Sequence, residues 1–500
     1  MYKKILTFSI SVILMFSFLA GRIGYIIFSG SYLVSDSYNS YTLSIDTKVP
    51  NLYYNNGELM TNNVKKYVAV IRPQAKSIAE MTKLFSLAER NEINEDLKKG
   101  YPVLKDIDSN KINLANHISV FESTSSNYLC TQLIDKKSSG LLSYLPLSIG
   151  SKKINFTIDA KGRLLKGDNG TVIDDNYNSS EGYILSIDKN IQKITHDACS
   201  QMKSGCAVVM DVRNSSILAC VTKPDDSYIN KAFLQYSVGS VFKIIVLTCA
   251  IENNINPFFN CKGSISVGDT TFSCQSNHVH GYQNLKEALG NSCNCYFVNL
   301  ALKLGPEKIL ETMKKFGFSD NTQLFNQWVI KNANVPTKDD LKSKGELALL
   351  GFGQGKLTAT PLQICSSLCT IGNNGCFNSS RLITQKVDES ANLQDIEYNS
   401  EEQIIEEQDA KTVLRYLRYV VTNGTGRNAE TASHNSLGKT ATAQTGQYIN
   451  GQEILNTWFA GLYPYDNPKY AIVIMTENGI SGSGDCCPIY STIVEKLDRL

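Results

Sequence analysis

Two side chains with the chemistry of acyl transfer lie three positions apart, in the segment Ser240-Val241-Phe242-Lys243. Residues i and i+3 share one face of a helix, so the lysine amine can reach the serine hydroxyl. A serine becomes a nucleophile when a base removes its proton, and a lysine with an ordinary pKa of about 10.4 is protonated at neutral pH. Burial, a helix N-terminus and a second cation all lower that pKa. We therefore predict Ser240 as the nucleophile and Lys243 as its base.

The same S-x-x-K spacing occurs at Ser186–Lys189, so the motif alone is weak. Two features distinguish Ser240. Gly239 precedes it, and the segment Val241–Ile251 is apolar nearly all round, which predicts a helix buried in the centre of a domain. The N-terminus of that helix would also direct backbone N–H groups toward a developing oxyanion. We interpret Ser186–Lys189 as the end of a strand and the start of a helix.

The segment Ser292-Cys293-Asn294 could add a hydroxyl and an amide to the same site. Residues two apart do not share a helical face, so the two polar side chains can converge only from a turn between helices. Gly290 and Asn291 before the segment, and an apolar run after it, favour such a turn.

A third segment, Lys439-Thr440-Ala441-Thr442, precedes a pair of strand-like runs. On an edge strand, Lys439 would be the second cation that lowers the pKa of the base. Thr440 and Thr442 would offer a hydroxyl and a backbone N–H to a substrate carboxylate and an oxyanion. Side chains alternate along a strand, so the Ala441 methyl would point to the same face as Lys439.

The elements that must position these residues begin near residue 182. Strand-like runs near both ends of this region, with mostly helices between them, predict an α/β domain whose antiparallel sheet is flanked by helices. Asn214-Ser215 predicts a hairpin turn between the first two apolar runs. The predicted strands and the closing helix are Gly182–Ile187, Cys206–Asp211, Ile217–Thr222, Thr457–Tyr463, Tyr470–Thr476 and Ile489–Leu500.

Together, the order and spacing of the three segments resemble the S-x-x-K, S-x-N and K-T-G motifs of the class B penicillin-binding proteins, which are serine transpeptidases. The resemblance covers residues 182–500 strongly and the region before them weakly. It implies a β-lactamase/transpeptidase-like fold, an N-terminal transmembrane helix and an elongated mixed α+β pedestal domain. Other segments similar to family landmarks are Asn230-Lys231-Ala232, His280-Gly281, Gly353-Gln354-Gly355, Thr360-Pro361-Leu362-Gln363, Trp458-Phe459-Ala460-Gly461 and Glu477-Asn478-Gly479.

The resemblance also implies a mechanism. Ser240 would attack the penultimate D-Ala carbonyl of a peptidoglycan stem peptide. An amine of a neighbouring peptidoglycan strand would then resolve the acyl-enzyme. β-Lactams would acylate the same serine. Ser292 and Lys439 would relay the proton to the leaving amine, and Asn294 would hold the peptide backbone. The segment Thr440-Ala441-Thr442 would bind the carboxylate end of the substrate.

The N-terminal segment predicts a membrane anchor. Ile5–Gly21 is apolar, Lys3 and Lys4 precede it, and Arg22 can extend toward the outer surface. A cleaved signal peptide is the alternative, but no small-x-small cleavage site follows the apolar run. We expect residues 1–28 to be a cytoplasmic tip and single-pass anchor, 29–181 a non-catalytic pedestal and 182–500 an extracytoplasmic transpeptidase domain. The resemblance implies a SEDS-type glycan polymerase as a membrane partner.

Charge and cysteine content set further expectations. The net charge of +2 provides no basic surplus for nucleic acid, so we predict no nucleic-acid partner. None of the 14 cysteines forms a paired C-x-x-C zinc motif, and we predict no metal and no cofactor. Cysteines inside apolar runs are expected to be buried thiols in surroundings that are not strongly oxidising. Cys261 and Cys274 flank a turn-rich segment and are predicted to lie near each other.

Two other functions remain open from the sequence. A catalytically impaired scaffold of wall synthesis is suggested by Ala441, because the family has glycine at that position. A β-lactam sensor or hydrolase is the second, although a hydrolase needs a base to activate the deacylating water and the sequence offers no clear candidate. From the sequence we expect an active enzyme in which the Ala441 methyl group slows acylation, so that Ala441→Gly would speed it.

Overall fold

The computed structural model describes residues 2–28, 39–159, 161–398 and 401–500. The predicted boundary between anchor and pedestal falls between residues 28 and 29, and residues 29–38 are outside the described residues. The chain forms two compact units and passes between them several times. The first unit comprises Met1–Lys48, Val64–Ser125 and Ser148–Asn178, and the second comprises Val49–Asn63, Ser126–Leu147 and Ser179–Leu500.

The first unit begins with the helix Tyr2–Phe28. Its segment Tyr2–Tyr25 has a mean hydropathy of 1.9 and is long and apolar enough to cross a membrane. This helix is therefore a candidate membrane anchor. The rest of the unit consists of two antiparallel three-stranded sheets and two further α-helices. The strands, in sheet order, are Ser40–Lys48, Gly150–Thr157 and Thr171–Asp175 in one sheet, and Val103–Asp106, Val64–Ile71 and Ser119–Ser125 in the other.

The segment Ser77–Glu89 has helical periodicity and contributes to two helices. The first ends at Leu84 and the next begins at Leu87. The cause is Ser86, whose hydroxyl accepts from the Glu89 backbone N–H while the Glu89 side chain accepts from the Ser86 N–H. This capping box satisfies free N–H groups at the start of the second helix and so fixes the break.

The second unit is built on a five-stranded antiparallel sheet, here called the central sheet. Its strands form the hairpin predicted near residue 214 and the C-terminal strand pair, joined side by side. The expectation of an antiparallel sheet flanked by helices is confirmed. In sheet order the strands are Ile217–Lys223, Gly205–Asp211, Tyr470–Glu477, Gln452–Tyr463 and Leu437–Ile449, and the last of these is called the edge strand.

Both faces of the central sheet are covered, which explains why its strands read as continuous apolar runs rather than alternating ones. In Gly205–Asp211, Cys206, Val208 and Met210 join the main core, whereas Ala207 and Val209 join a second core on the opposite face. Successive side chains point to opposite faces of a strand, so each face contributes to one core.

Helices pack on these two faces. The main core includes the helix Lys243–Glu252, here called the buried helix, in which every residue from Lys243 to Ala250 is buried. The second core includes residues of the helices Lys189–Ala198 and Cys487–Leu497. The remaining α-helices of this unit are Thr131–Ile134, Leu285–Gly290, Asn294–Leu304, Pro306–Lys315, Lys344–Gly351, Pro361–Gly372, Glu407–Asn423 and Gly482–Asp485.

Smaller sheets complete the unit. The four-stranded one includes the predicted strand near residue 182. Its strands, in sheet order, are Asn51–Tyr53, Gly182–Leu185, Ile383–Val387 and Leu393–Asp395. The three-stranded one is Tyr236–Ser237, Thr358–Ala359 and Ala333–Asn334, and the pairs are Phe259–Cys261 with Gly281–Gln283, Ser264–Val267 with Thr270–Ser273, Asn321–Phe325 with Trp328–Lys331, and Cys376–Phe377 with Glu402–Gln403.

Candidate active site

Ser240 lies in a short 3-10 turn, Gly239–Val241, directly before the buried helix. Gly239 has a φ of +59°, a conformation that favours glycine, and its N–H donates to the Gly353 carbonyl at 2.9 Å. A Cβ on Gly239 would lie 2.9 Å from the Cβ of Ala443 in the edge strand. The turn that carries Ser240 is therefore held tightly between the edge strand and the loop of Gly353.

Lys243 begins the buried helix, and its side chain is fully buried. Its Nζ donates to the Ser292 carbonyl at 2.7 Å and to Asn294 Oδ1 at 2.8 Å, and it lies 5.3 Å from the centre of the Phe297 ring. Within residues 161–398, all described by the structure, no hydrogen bond joins Lys243 Nζ to Ser240 Oγ. Such bonds are often long in ligand-free enzymes and tighten when substrate binds.

Ser292 occupies the turn between the helices Leu285–Gly290 and Asn294–Leu304, as predicted. It adopts a φ of +54°, which is uncommon for a residue other than glycine. This backbone conformation allows Ser292 and Asn294 to face Lys243 together. The Asn294 amide also donates to the Ser273 carbonyl at 3.0 Å, which fixes its orientation.

Lys439 lies on the edge strand and is fully buried. Its Nζ donates to Ser292 Oγ at 3.0 Å, and Lys243 Nζ reaches the same hydroxyl at 3.4 Å. Burial lowers the pKa of Lys243 to about 8. Burial, followed by the charge on Lys243, lowers the pKa of Lys439 well below its usual range. The repulsion predicted between the two lysines therefore lowers the pKa of Lys439, whereas the pKa of Lys243 is lowered by burial.

The neighbours of Lys439 on the edge strand have distinct surroundings. The Thr440 hydroxyl is hydrogen-bonded to the hydroxyl of Thr425 at 2.7 Å, a partner that the sequence did not reveal. Thr442 is half-buried, and its Oγ1 accepts from the Gly482 N–H at 3.4 Å. Among the residues that the structure describes, this strand has a partner strand on one side only, so a substrate peptide could align along its free side.

Ala441 is 3% exposed and belongs to the main core, so its methyl group contacts protein rather than open cleft. The crowding expected from the sequence is therefore reduced. We expect Ala441→Gly to lower the free energy of unfolding by about 1–2 kcal/mol, through a lost methyl and a more flexible strand, and to change penicillin acylation little. Denaturant unfolding and the second-order acylation rate measure both effects. An acylation rate raised tenfold or more would restore the crowding explanation.

The acylation rate should depend on pH through Lys243. Only the neutral amine accepts a proton, and a pKa of about 8 leaves roughly one tenth of the lysine neutral at pH 7. The rate should therefore rise with pH and level off above about 8. Stopped-flow acylation by penicillin, corrected for spontaneous hydrolysis, measures this profile. A rate that keeps rising until pH 10 would mean that the lysine retains its ordinary pKa.

The second S-x-x-K segment has a different environment. Ser186 Oγ donates to the carbonyls of Ile217 and Arg381, at 2.7 and 3.0 Å. Lys189 is half-exposed and forms an ion pair with Glu58. The serine hydroxyl is used structurally and the lysine points to solvent, as expected for the junction of a strand and a helix.

Two of the segments that are similar to family landmarks, those of Lys231 and Glu477, are joined by a network of hydrogen bonds and an ion pair. Lys231 Nζ lies 2.5 Å from Glu477 Oε2, and the opposite carboxylate oxygen accepts from the Tyr236 hydroxyl at 2.9 Å. Ser204 donates to the same carboxylate at 2.6 Å. Tyr236 lies four residues before Ser240, so the network ties the chain entering the nucleophile turn to the central sheet. The sequence indicated neither Ser204 nor Tyr236.

Four metal-ligand side chains also converge, although the sequence predicted no metal site. The ligand atoms of Cys261, Cys274, His280 and Cys293 all lie within 4.8 Å of one another. The proximity predicted for Cys261 and Cys274 is confirmed, since their sulfurs are 3.7 Å apart. The spacing of the four is long and irregular, so no local motif indicates the cluster, and only the repeated occurrence of Cys and His between residues 261 and 295 gives a signal.

The predicted burial of the thiols is also observed. All 14 cysteines lie within the described residues and are free, and all except Cys376 are buried. The six that were predicted to be buried in apolar runs are Cys199, Cys206, Cys220, Cys249, Cys365 and Cys369.

Comparison with known proteins agrees with the motifs. Residues 205–495, more than half of the chain, match the family of the penicillin binding protein transpeptidase domain. Stage V sporulation protein D of Bacillus subtilis is 29% identical over 374 residues, which cover 68% of this chain and 56% of that protein. Peptidoglycan D,D-transpeptidase MrdA of Haemophilus influenzae is 28% identical over 368 residues, covering 62% and 55%. The chain thus spans little more than half the length of these relatives.

Solved structures share the fold. Penicillin binding protein 3 from Mycobacterium tuberculosis, complexed with ampicillin, matches with a TM-score of 0.65 at 20% identity, covering 92% of this chain and 96% of that one. A peptidoglycan synthetase from Bifidobacterium adolescentis matches with a TM-score of 0.66 at 17% identity, with the same coverage. The resemblance drawn from the three motifs is confirmed, and the chain belongs to the penicillin-binding protein transpeptidase family.

Proposed function

We propose that this protein is a peptidoglycan D,D-transpeptidase, which cross-links stem peptides of the cell wall through an acyl-enzyme on Ser240. The observation that carries the proposal is the convergence of two fully buried lysines, Lys243 and Lys439, on the Ser292 hydroxyl, next to the turn that bears Ser240. The names of the relatives support it, since one is a peptidoglycan D,D-transpeptidase and a structural neighbour is complexed with ampicillin.

In this proposal, the neutral amine of Lys243 takes the Ser240 proton as the serine oxygen attacks the penultimate D-Ala carbonyl carbon. The tetrahedral intermediate then collapses, and the peptide bond to the terminal D-Ala breaks. The leaving amine takes the proton of Ser292 Oγ, which is replaced from the adjacent lysine ammonium groups. An amine of a neighbouring peptidoglycan strand attacks the resulting ester. The lysines and Ser292 then return the proton to Ser240.

Binding of the donor peptide is assigned to the edge strand and the Ser292 turn. A peptide aligned along the free side of the edge strand would place its carboxylate near Thr440, with the Thr442 N–H directed at the oxyanion. Asn294 would hold the peptide backbone. Ala441, between the two threonines, would contribute only its main chain, because its methyl group is buried.

We further propose that the protein is anchored by its N-terminal helix with the tip in the cytoplasm, because Lys3 and Lys4 favour that side. The domain at 182–500 and a non-catalytic pedestal at 29–181 would then both lie outside the membrane. A glycan polymerase of the SEDS type is the partner expected in the membrane.

Labelling with fluorescent penicillin tests this function against its alternatives. Full-length protein in detergent is labelled, transferred to excess unlabelled penicillin, and followed over hours. A transpeptidase acylates and keeps the label, because its ester is resolved by an amine and hydrolyses only slowly. Rapid loss of label would indicate a hydrolase, and absence of label in folded protein would indicate a scaffold.

A further inference from the structure

A cluster of thiols and one imidazole lies directly beside the Ser292 turn. Cys274 is 3.7 Å from both Cys261 and Cys293, measured between sulfurs, and Cys261 Sγ is 3.5 Å from His280 Nδ1. The three cysteines are buried and the histidine is half-buried. A disulfide needs a sulfur–sulfur distance of about 2.05 Å and would use two of these groups while leaving the third thiol beside them.

Three of the six distances between ligand atoms match those of a tetrahedral metal site. With metal–sulfur bonds of about 2.3 Å and a metal–nitrogen bond of about 2.05 Å, a tetrahedron places two sulfurs about 3.8 Å apart and a sulfur and a nitrogen about 3.6 Å apart. The measured values are 3.7 Å for two sulfur pairs and 3.5 Å for the sulfur–nitrogen pair. Four ligand atoms within 4.8 Å of one another can therefore share a single ion.

Groups around the cluster are placed to stabilise thiolates. The Gly263 N–H donates to Cys261 Sγ at 3.4 Å, and the Tyr296 N–H donates to Cys293 Sγ at 3.3 Å. Cys274 Sγ, in turn, donates to Cys295 Sγ at 3.5 Å. Cys261 and Cys293 thus each accept a hydrogen bond from a backbone N–H outside the ligand set, the arrangement that orients metal ligands and tunes their basicity.

Ligand chemistry selects the ion. Thiolate and imidazole suit zinc, and a set of three cysteines and one histidine is a common structural zinc site. Four protein ligands leave no open position for water or substrate, so the ion would act on structure and not on the reacting atoms. The half-buried His280 gives the ion a path from solvent. All 14 cysteines are free of disulfides, as expected where thiolate sites persist.

We propose that Cys261, Cys274, His280 and Cys293 bind one Zn²⁺, and that the ion positions Ser292 and Asn294. Cys293 lies between these two residues, and Cys274 follows Ser273, whose carbonyl accepts from the Asn294 amide. The ion would therefore join the hairpin Ser264–Ser273 to the helix that begins at Asn294. It would also hold Ser292 at its positive φ, facing both lysines.

Metal content tests the binding claim, which does not depend on the proposed function. The full-length chain, purified in detergent with a thiol reductant and without a histidine tag, should contain about one zinc per chain by mass spectrometry. Cys261→Ser and His280→Ala should lose it on dialysis against a chelator. Cys376→Ser should keep it, because Cys376 is outside the cluster and contacts Glu401 instead.

Several results would overturn the binding claim. These are wild-type protein that holds no zinc and takes up none when Zn²⁺ is added, stoichiometric iron in place of zinc, zinc retained by both ligand variants, or a Cys261–Cys274 disulfide in the purified protein. If the ligand variants fail to fold, removal of zinc from the wild type and its restoration by Zn²⁺ provide the same test.

The positioning claim rests on the proposed function and is measured separately. Removing zinc at a temperature where circular dichroism reports an intact fold should slow penicillin acylation at least tenfold, and Zn²⁺ but not Mg²⁺ should restore the rate. Acylation unchanged in zinc-free, folded protein would refute positioning while leaving the metal site intact. If even the zinc-loaded protein fails to react with penicillin, the proposed function has failed, and the metal analysis still stands.

Discussion

Replacing Ser240 with alanine should abolish covalent labelling by β-lactams and leave the fold intact. Ser240 is half-buried in the turn before the buried helix, and no hydrogen bond to its hydroxyl is present among the described residues. Removing that hydroxyl therefore costs little stability, whereas acylation loses its nucleophile. Removal of the catalytic serine from a serine protease lowers kcat on the order of 10⁶-fold. Gel fluorescence after incubation with labelled penicillin measures the loss.

The matched control is Ser237→Ala, which alters the other serine of the same short segment. It should label like the wild type, and thermal unfolding should show both variants folded. Labelling of Ser240→Ala at a rate within tenfold of the wild type would eliminate Ser240 as the nucleophile.

Replacing Lys243 should be nearly as severe, whereas replacing Lys189 should have no effect on acylation. Loss of a general base typically costs 10²–10⁴-fold in rate. Lys243 is buried against Ser292 and Asn294, while Lys189 forms a surface ion pair with Glu58. The second-order rate of penicillin acylation for Lys243→Ala and Lys189→Ala compares the two S-x-x-K segments directly.

Burial of Lys243 requires a second variant. Truncation to alanine leaves a cavity and two unpaired acceptors, so the variant could be inactive because it is unstable. Lys243→Met fills similar volume without the amine and should be equally slow in acylation while melting closer to the wild type. A Lys243→Met protein that acylates at the wild-type rate, or a slow Lys189→Ala protein, would show that the wrong lysine has been chosen.

The sequence predicted those parts of the molecule that depend on local pattern. The apolar runs at Cys206–Asp211 and Tyr470–Thr476 indicated strands, and the segment after Ser240 indicated a buried helix, because burial on both faces leaves a continuous apolar signature. The turn at Ser292 followed from the geometry of a two-residue spacing.

Contacts between distant segments were not predictable in the same way. Thr425 meets Thr440, and Ser204 meets Glu477, only because separate elements pack side by side. The thiol cluster is the clearest case, since four ligands from three strands or loops and a helix start have no common local motif. The exposure of Ala441 also depends on packing, since only the folded structure shows that its methyl group belongs to the main core.

The position of the penicillin adduct shows most directly whether Ser240 carries the acyl group. Trypsin should cleave after Lys231 and Lys243 and release residues 232–243, a peptide whose two serines are Ser237 and Ser240. Fragmentation of the modified peptide then identifies the serine that carries the added mass. We expect a single adduct, on Ser240, that is absent from the Ser240→Ala protein. An adduct on Ser186, Ser292 or any other serine would contradict it.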